Sequence, residues 1–115
     1  MNTPIYHMCT REEWQAASAV GRYLGSSQDQ ADGFIHFSDR SQIVASAAKH
    51  RAGQDDLVLI EIDAEALGGA LKWEASRGGA LFPHLYGPLD PAMVARTAPL
   101  RLDASGRHVF PWDLA

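Results

Sequence analysis

The segment from Leu57 to Ile62 constrains the fold of this chain more than any other, because it is almost wholly apolar. Its Val and Ile side chains favour β-structure, and the run does not alternate between polar and apolar residues. Continuous apolar runs of this length are typical of strands covered on both faces. The segment therefore predicts a central strand. Glu61 is its one charged residue, and an ionised carboxylate in such a strand would need a partner.

The rest of the pattern predicts an α+β fold with a mixed or antiparallel sheet, rather than a doubly wound fold. Strands outnumber helices, and the two main helices fall in the N-terminal half. One helix is expected after the capping box of Thr10 and Glu13, ending at Gly21, and the second after a similar pair formed by Asp39 and Gln42. The polar stretch from Gly25 to Gly33 is expected to be a loop. Further strands are expected at residues 4–9, 34–38, 71–74 and 82–86, with a hairpin formed by 94–102 and 108–111.

The bulk composition is that of a globular domain. The chain has 115 residues, of which 46% are hydrophobic and 21% charged, so residues 1–115 are expected to form a single domain with its own core. A net charge of −4 argues against bulk nucleic-acid binding and against acidic membranes. The single cysteine, Cys9, cannot form an internal disulfide, and no segment resembles a signal peptide or a membrane span. A cytoplasmic protein with no membrane partner is predicted.

Three short segments place a histidine inside an apolar run with a polar or reactive residue two positions later. His7 precedes Cys9, His36 precedes Ser38 and His84 precedes Tyr86. Residues two apart on a strand share a face, so each segment would present both side chains together. Imidazole can act as an acid, a base or a hydrogen-bond donor near neutral pH. Three such segments meeting at one cleft would form a site, whereas three separate ones would be ordinary strands.

Other candidates each have an ordinary alternative. Glu74 shares a strand face with Lys72, so the two can simply form a solvated pair. Arg77 lies in a Gly-rich loop, where it can grip a phosphate or remain a surface arginine. Ser38 suits a binding site or a helix N-cap, and a buried inert thiol is commoner than a nucleophilic one at a position such as Cys9. Histidine is a suitable metal ligand, but no close-spaced histidine pair is present, so no metal site is predicted.

Four motifs give the chain a resemblance to a family of small uncharacterised bacterial proteins. They are Tyr6-His7, Gly33 to Ser38, Trp73-Glu74 and the Phe-Pro-His-Leu-Tyr-Gly sequence from Phe82 to Gly87. This family is grouped with the ADP-ribosyltransferase-like fold, in which two small antiparallel sheets surround an NAD-binding cleft. The resemblance thus implies NAD or a related nucleotide as ligand.

The resemblance also implies roles for individual residues. His7 would hold a ribose hydroxyl, His36 and Ser38 would match the second element of the cleft, and Tyr6 and Arg77 would join Ser38 in binding ligand. The third element usually supplies a glutamate, but here it offers His84 and Tyr86, which speaks against ordinary protein ADP-ribosylation. A similar histidine-rich variant occurs in RNA 2′-phosphotransferases of that fold. Glu74, reaching in from a neighbouring strand, is the candidate acid. The implied catalytic set is His7, His36, His84, Tyr86 and Glu74.

Two functions follow from this reasoning. The first is an NAD-dependent transfer of ADP-ribose or a related group, with NAD as the candidate cofactor. The second is a noncatalytic ligand-binding or protein-interaction domain that keeps the fold. The direction of Glu74 discriminates them, because a carboxylate pointing away from all three histidines would favour the second.

Overall fold

A computed structural model of the chain describes residues 3–76 and 78–114 and shows an α+β fold with two antiparallel sheets. Two 3₁₀ segments, Ala64–Ala70 and Pro91–Met93, follow Asp63 and Asp90, and each of these aspartates caps its segment. The helices are α1 (Arg11–Val20), α2 (Ser27–Asp32) and α3 (Ile43–His50). The strands are β1 (Pro4–Thr10), β2 (Ile35–His36), β3 (Ser38–Asp39), β4 (Leu57–Asp63), β5 (Leu71–Ala75), β6 (Leu81–Leu85), β7 (Arg96–Leu102) and β8 (His108–Val109).

The larger sheet has the order β3-β1-β4-β7-β8 and confirms the prediction of a central strand. β4 pairs with β1 along its whole length and with β7 on its other side. Its residues from Leu57 to Ile60 and Ile62 are buried, whereas Glu61 is half-buried. Because side chains alternate, Val58, Ile60 and Ile62 face one side of the sheet, and Leu57 and Leu59 face the other.

The smaller sheet has the order β2-β6-β5, and it explains why one predicted strand was wrong. Residues 34–38 do not form a single strand: Ile35 and His36 pair with β6 of the small sheet, and the following β3 pairs with β1 of the large sheet. Phe37 lies between them, with its side chain buried and its amide donating to the Pro83 carbonyl. The chain passes from the small sheet to the large sheet at this residue. His36 and Ser38 therefore do not share a face, as they would on a single strand.

The two predicted helices are confirmed, and α1 has its predicted cap, whereas Gln42, the N-cap residue of α3, makes no side-chain capping bond to the helix. Thr10 and Glu13 form a reciprocal capping box, and Gly21 ends α1 in the left-handed conformation. Asp39 and Gln42 exchange hydrogen bonds at the start of α3.

The polar stretch from Gly25 to Gly33 is a helix rather than the predicted loop. Ser26 and Asp29 form a second reciprocal capping box, and Gly33 ends α2 in the left-handed conformation. The stretch lacks apolar periodicity because its one buried residue within the helix is Asp29, a carboxylate. A search for an apolar helix face therefore cannot find it.

The core is divided by the large sheet into two clusters. One lies between the large sheet, α1 and the small sheet, and includes Ile60, Phe37 and Leu85. The second lies on the opposite face, where Phe110, Trp112 and Leu114 of the C-terminal segment pack with α3 over the sheet. None of the helices in the described part of the chain is long and apolar enough to cross a bilayer.

Gly25 provides a test of how tightly α2 is held. It has φ +96°, and a Cβ atom here would lie 2.6 Å from Cβ of Asp29. We expect Gly25→Ala to lower the free energy of unfolding by about 3 kcal/mol, since it combines left-handed strain with a clash. Gly21→Ala is the matched control, because Gly21 has φ +75° but no neighbouring atom within 4 Å. It should cost about 1 kcal/mol in urea unfolding. Equal losses in the two variants would contradict this account.

Candidate functional site

A buried carboxylate, Asp29, joins three parts of the chain. Its Oδ1 accepts hydrogen bonds from the His36 ring nitrogen Nδ1 at 2.5 Å and from the His36 backbone amide at 3.2 Å. Its Oδ2 accepts from the Ser26 amide at 2.8 Å and lies 3.6 Å from Nε2 of His7. Asp29 thus holds the start of α2, the strand β2 and the side chain that β1 presents to them.

Opposing influences act on the Asp29 carboxyl. Burial alone would raise its pKa, but the hydrogen bonds from the side chain and amide of His36 and from the Ser26 amide outweigh burial and lower the pKa to about 2. The group is therefore a carboxylate at every physiological pH. A buried carboxylate with this many donors is a fixed negative charge rather than a proton shuttle.

His7 lies behind the small sheet in a fully buried position. Its Nδ1 is 2.6 Å from the His36 carbonyl oxygen, which can only accept, so Nδ1 carries the proton and donates. Its Nε2, 2.6 Å from the Tyr23 hydroxyl, then accepts from that hydroxyl. Burial lowers the pKa of His7, so the ring is neutral near pH 7.

Cys9 and Tyr23 complete this buried group. The Cys9 thiol also contacts the Tyr23 hydroxyl, so His7 and Cys9 do share a face, as predicted. Burial raises the pKa of the thiol to about 12 and also raises that of Tyr23. A thiol with such a pKa holds its proton at neutral pH, and the arrangement supports the inert interpretation of Cys9.

His36 lies between two carboxylates at the surface end of the group. Nδ1 faces Asp29, and Nε2 lies 3.1 Å from Oδ2 of Asp32. The Nδ1 contact is a hydrogen bond to a carboxylate that can only accept, so Nδ1 carries a proton. The side chain is 41% exposed.

His84, Glu74 and Tyr86 form a second hydrogen-bonded group on the same face of the small sheet. Oε1 of Glu74 accepts from the Tyr86 hydroxyl at 2.6 Å and from Nδ1 of His84 at 2.9 Å. Both bonds lower the pKa of Glu74, and the bond from Tyr86 has the larger effect. The bond between Tyr86 and Glu74 also raises the pKa of Tyr86. Glu74 is therefore ionised at neutral pH and points toward a histidine.

Phe34 connects the two groups. Its ring stacks on His84 with centroids 4.1 Å apart and an interplanar angle of 28°, and it also contacts the rings of His36 and Tyr86. His36 and His84 are directly opposite in register, with ring centroids 5.5 Å apart. We call this surface the histidine face and define it by Phe34, His36, Glu74, His84 and Tyr86. A shallow groove of about 200 Å³ adjoins it, lined by Leu24, Gln30, Gly33, Phe34, Leu85 and Pro88 among others.

The structure places His36 and His84 on one face, and it connects the buried His7 to them through the His36 carbonyl and Asp29. It separates two predicted ligand-binding residues from all three histidines. Tyr6 lies on the opposite face of β1, where its hydroxyl donates to Oε2 of Glu61 at 2.8 Å. Burial, followed by this bond, raises the pKa of Tyr6 to about 12. Ser38 donates to the Ser46 hydroxyl at 2.8 Å and shares neither a face with His36 nor a capping role. The change of sheet at Phe37 is the physical reason. The predicted phosphate ligand Arg77 lies outside the described residues.

Glu61 has the partner that its strand position requires. Arg96 donates to both of its carboxylate oxygens at 3.0 Å, and the guanidinium also lies 4.0 Å from the centre of the Trp112 ring. Hydrogen bonds from Arg96 and Tyr6 outweigh the effect of burial and lower the pKa of Glu61. This cluster lies on the far side of the large sheet and explains Glu61 as a structural residue.

Sequence reasoning missed Asp29, Tyr23 and Phe34. The spacing of Ser26 and Asp29, followed by Gly33, was the available signal for a capped helix, although a capping box usually carries Glu or Gln at the second position. Phe34 lies inside the motif from Gly33 to Ser38, but its own side chain gave no signal of a role. Within the described residues, no group of three His, Cys, Asp or Glu side chains is placed to hold a metal ion.

The comparisons with known proteins agree with this geometry at the level of family and fold. The model of a family described as "Protein of unknown function (DUF952)" matches residues 8–97. The chain belongs to this family. A crystal structure of protein CC0527 from Caulobacter crescentus is 55% identical, with a TM-score of 0.89 over 93% of this chain and 94% of that one. A solution NMR structure of CC0527 is 56% identical, with a TM-score of 0.82 over 90% of each chain. No curated protein matches the chain.

Acidification tests the role of Asp29 and His7 in this DUF952 protein. Above pH 6.5 the unfolded and folded states both carry neutral His7; below it only the unfolded state gains the proton, so stability falls. The ionised Asp29 stabilises the folded state at every pH above 3.8, the ordinary pKa of this group. This stabilisation is lost as the pH falls from 3.8 toward the folded-state pKa of about 2. We expect this second contribution to be about 2 kcal/mol.

Urea unfolding between pH 7.5 and pH 2.5 would measure both effects. Asp29→Asn should be several kcal/mol less stable than the wild type at pH 7, and the gap should narrow below about pH 4. Asp32→Asn, a half-exposed carboxylate that also contacts His36, is the control and should cost about 0.5 kcal/mol. A difference in the free energy of unfolding between Asp29→Asn and the wild type that does not change with pH would refute the role of Asp29 as a stabilising carboxylate.

Proposed function

We propose that the histidine face binds NAD or a related nucleotide and transfers ADP-ribose or a related group from it. The observation that carries this proposal is the direction of Glu74, whose ionised carboxylate is held at the surface by His84 and Tyr86. Had it pointed away from the histidines, a noncatalytic role would be favoured. The ADP-ribosyltransferase-like grouping and a cytoplasmic location are parts of the same proposal.

The chemistry of the transfer explains why a carboxylate is needed there. When the bond between the ribose carbon and nicotinamide breaks, the bonding electrons go to the ring nitrogen and neutral nicotinamide leaves. The positive charge that the nicotinamide ring carried passes to the ribose as an oxocarbenium-like centre. A carboxylate fixed beside the ribose carbon stabilises the charge there more than it stabilises the charge on the ring in the ground state. Oε1 of Glu74 already accepts two bonds, and these orient the carboxylate toward the face.

The aromatic rings supply the binding surface in this proposal. Tyr86 is 42% exposed, and the half-buried Phe34 is backed by its stacking contact with His84, so these two rings offer aromatic surface on which a planar ring can stack. The adjoining groove of about 200 Å³ is smaller than a pocket that encloses a whole drug-sized ligand. It is large enough for one ring of a nucleotide, so the remainder would lie on the open surface.

His7 takes a different role from the predicted one. It is buried and both ring nitrogens are engaged, so it has no free atom for a ribose hydroxyl. We assign it as a positioning residue that holds the His36 carbonyl and hence β2.

A noncatalytic ligand-binding role is the second candidate. It is favoured because the polar groups of the histidine face already bind one another. His36 has a carboxylate at each ring nitrogen, and Glu74 accepts hydrogen bonds from two side chains. A ligand would have to compete for groups that already have partners. Binding without turnover is the outcome that this candidate predicts.

An NMR titration tests binding directly. We expect NAD and ADP-ribose to shift the imidazole signals of His36 and His84 together and saturably, because the two rings share one face. His108, which bonds to the Gln54 carbonyl away from this face, is the internal control and should not shift. The absence of any shift at millimolar ligand would refute nucleotide binding.

Release of nicotinamide from NAD tests the transfer step. If the wild type releases it, Glu74→Gln should lower the rate by about 10²-fold while leaving ligand binding within a few-fold, because the carboxylate acts on the transition state. Glu12→Gln, an exposed carboxylate in the first turn of α1, should leave the rate unchanged. Saturable binding with no release by the wild type would reject transfer from NAD in favour of the second candidate.

A further inference from the structure

One sheet edge stands out among those of the described residues. The two sheets end in four strands, and three of them, β2, β3 and β8, have only two residues. The fourth, β5, has five residues and no neighbour on its outer side. An extended edge strand offers backbone donors and acceptors to another strand, and natural proteins usually shorten or cover such edges.

The register of β5 shows which backbone groups point outward. Trp73 is opposite Pro83, which has no N–H, so this pair cannot exchange hydrogen bonds. Lys72 and Glu74 must therefore bond inward to β6, and Leu71, Trp73 and Ala75 point outward. Inward bonds from Tyr86 to Ala70 and from Ser76 to Ala80 continue the alternation at both ends. The Leu71 N–H bonds to the Gly68 carbonyl, which leaves the Leu71 carbonyl and both groups of Trp73 and Ala75 for a partner.

The side chains of β5 favour a second copy of this chain as that partner. The strand reads Leu-Lys-Trp-Glu-Ala, with opposite charges placed symmetrically about Trp73. We infer that β5 pairs antiparallel with β5 of a second copy, with a two-fold axis at Trp73. Lys72 would then face Glu74 of the partner subunit, and Glu74 would face Lys72 of the partner subunit. Such an interface is self-complementary and closed, as expected of a symmetric dimer.

The other face of the small sheet supplies apolar surface for the same contact. Trp73 is 40% exposed and Leu81, across from Ala75, is 53% exposed. Pairing at Trp73 would set the two indole rings side by side and cover them. An edge lysine can also serve to prevent pairing. In a parallel, in-register pairing, Lys72 would lie opposite Lys72 of the partner subunit and the two charges would repel. In the antiparallel pairing, Lys72 lies opposite Glu74 of the partner subunit and the charges attract.

The dimer has a consequence for the histidine face that rests on the proposed function. Glu74 accepts from His84 and Tyr86 at the edge of that face. The ammonium of Lys72 of the partner subunit would therefore lie beside the face, where it could bind a phosphate. The pairing itself depends only on the strand edge, so it is measured without ligand.

Sedimentation velocity from about 10 µM to about 1 mM tests the pairing. We expect a reversible dimer of the wild type, with a dissociation constant raised at least tenfold by Lys72→Glu, because both charged pairs become repulsive. Lys49→Glu makes the same charge change on the exposed end of α3 and should leave the dimer intact. A wild type that stays monomeric at 1 mM would overturn the inference, as would a dimer insensitive to Lys72→Glu.

A mixing experiment tests the register. Lys72→Glu and Glu74→Lys chains should each be monomeric but should pair when mixed, because the mixture restores both attractions. Amide NMR spectra would first show that each variant is folded. Two folded variants that fail to pair in the mixture would reject the antiparallel register centred on Trp73.

Discussion

The buried carboxylate of Asp29 is the interaction on which the arrangement of this domain depends. It is an unusual way to anchor a helix, because α2 has no apolar face and contributes its charge instead. Burying that charge would be costly without donors, and the donors come from α2 itself, from β2 and from the side chain of His36. The position of β2 relative to the large sheet thus follows from satisfying one ion. The position of the whole small sheet follows from that of β2, because β6 pairs with β2 and β5 pairs with β6.

The polar groups around this ion are ordered by depth. Tyr23, neutral His7 and Asp29 are all buried, whereas His36, Tyr86 and Glu74 lie at or near the surface. Every buried side-chain nitrogen and oxygen in the described residues has a hydrogen-bond partner. A fully satisfied network of this kind resists rearrangement, because moving one member leaves another unpaired in a medium of low dielectric constant. The exposed members are consequently presented to solvent by a rigid support.

Local sequence signals predicted a large part of this structure. The apolar run at Leu57, the capping box at Thr10 and the Asp39–Gln42 pair depend on neighbours in the chain, and the structure confirms them. The meeting of His36 with His84, and the turn of Glu74 toward it, depend on strand order and register, which a single sequence does not encode locally. The change of sheet at Phe37 was hidden for the same reason: residues 34–38 have the pattern of one strand, and only the competition between β1 and β6 for pairing divides them. Asp29 was missed because a buried acid looks like a surface acid until its partners are known.

The folded core extends beyond the part of the chain that the family match covers. The family match ends at residue 97, yet Phe110, Trp112 and Leu114 cover the second core cluster, and the Trp112 ring receives the guanidinium of Arg96. A chain ended at residue 97 would uncover Tyr6, Leu57 and Leu59 and cut β7 near its start. Residues 98–114 therefore belong to the same folded unit as the sheet face that they cover, and domain boundaries drawn from the family match alone would divide a single core.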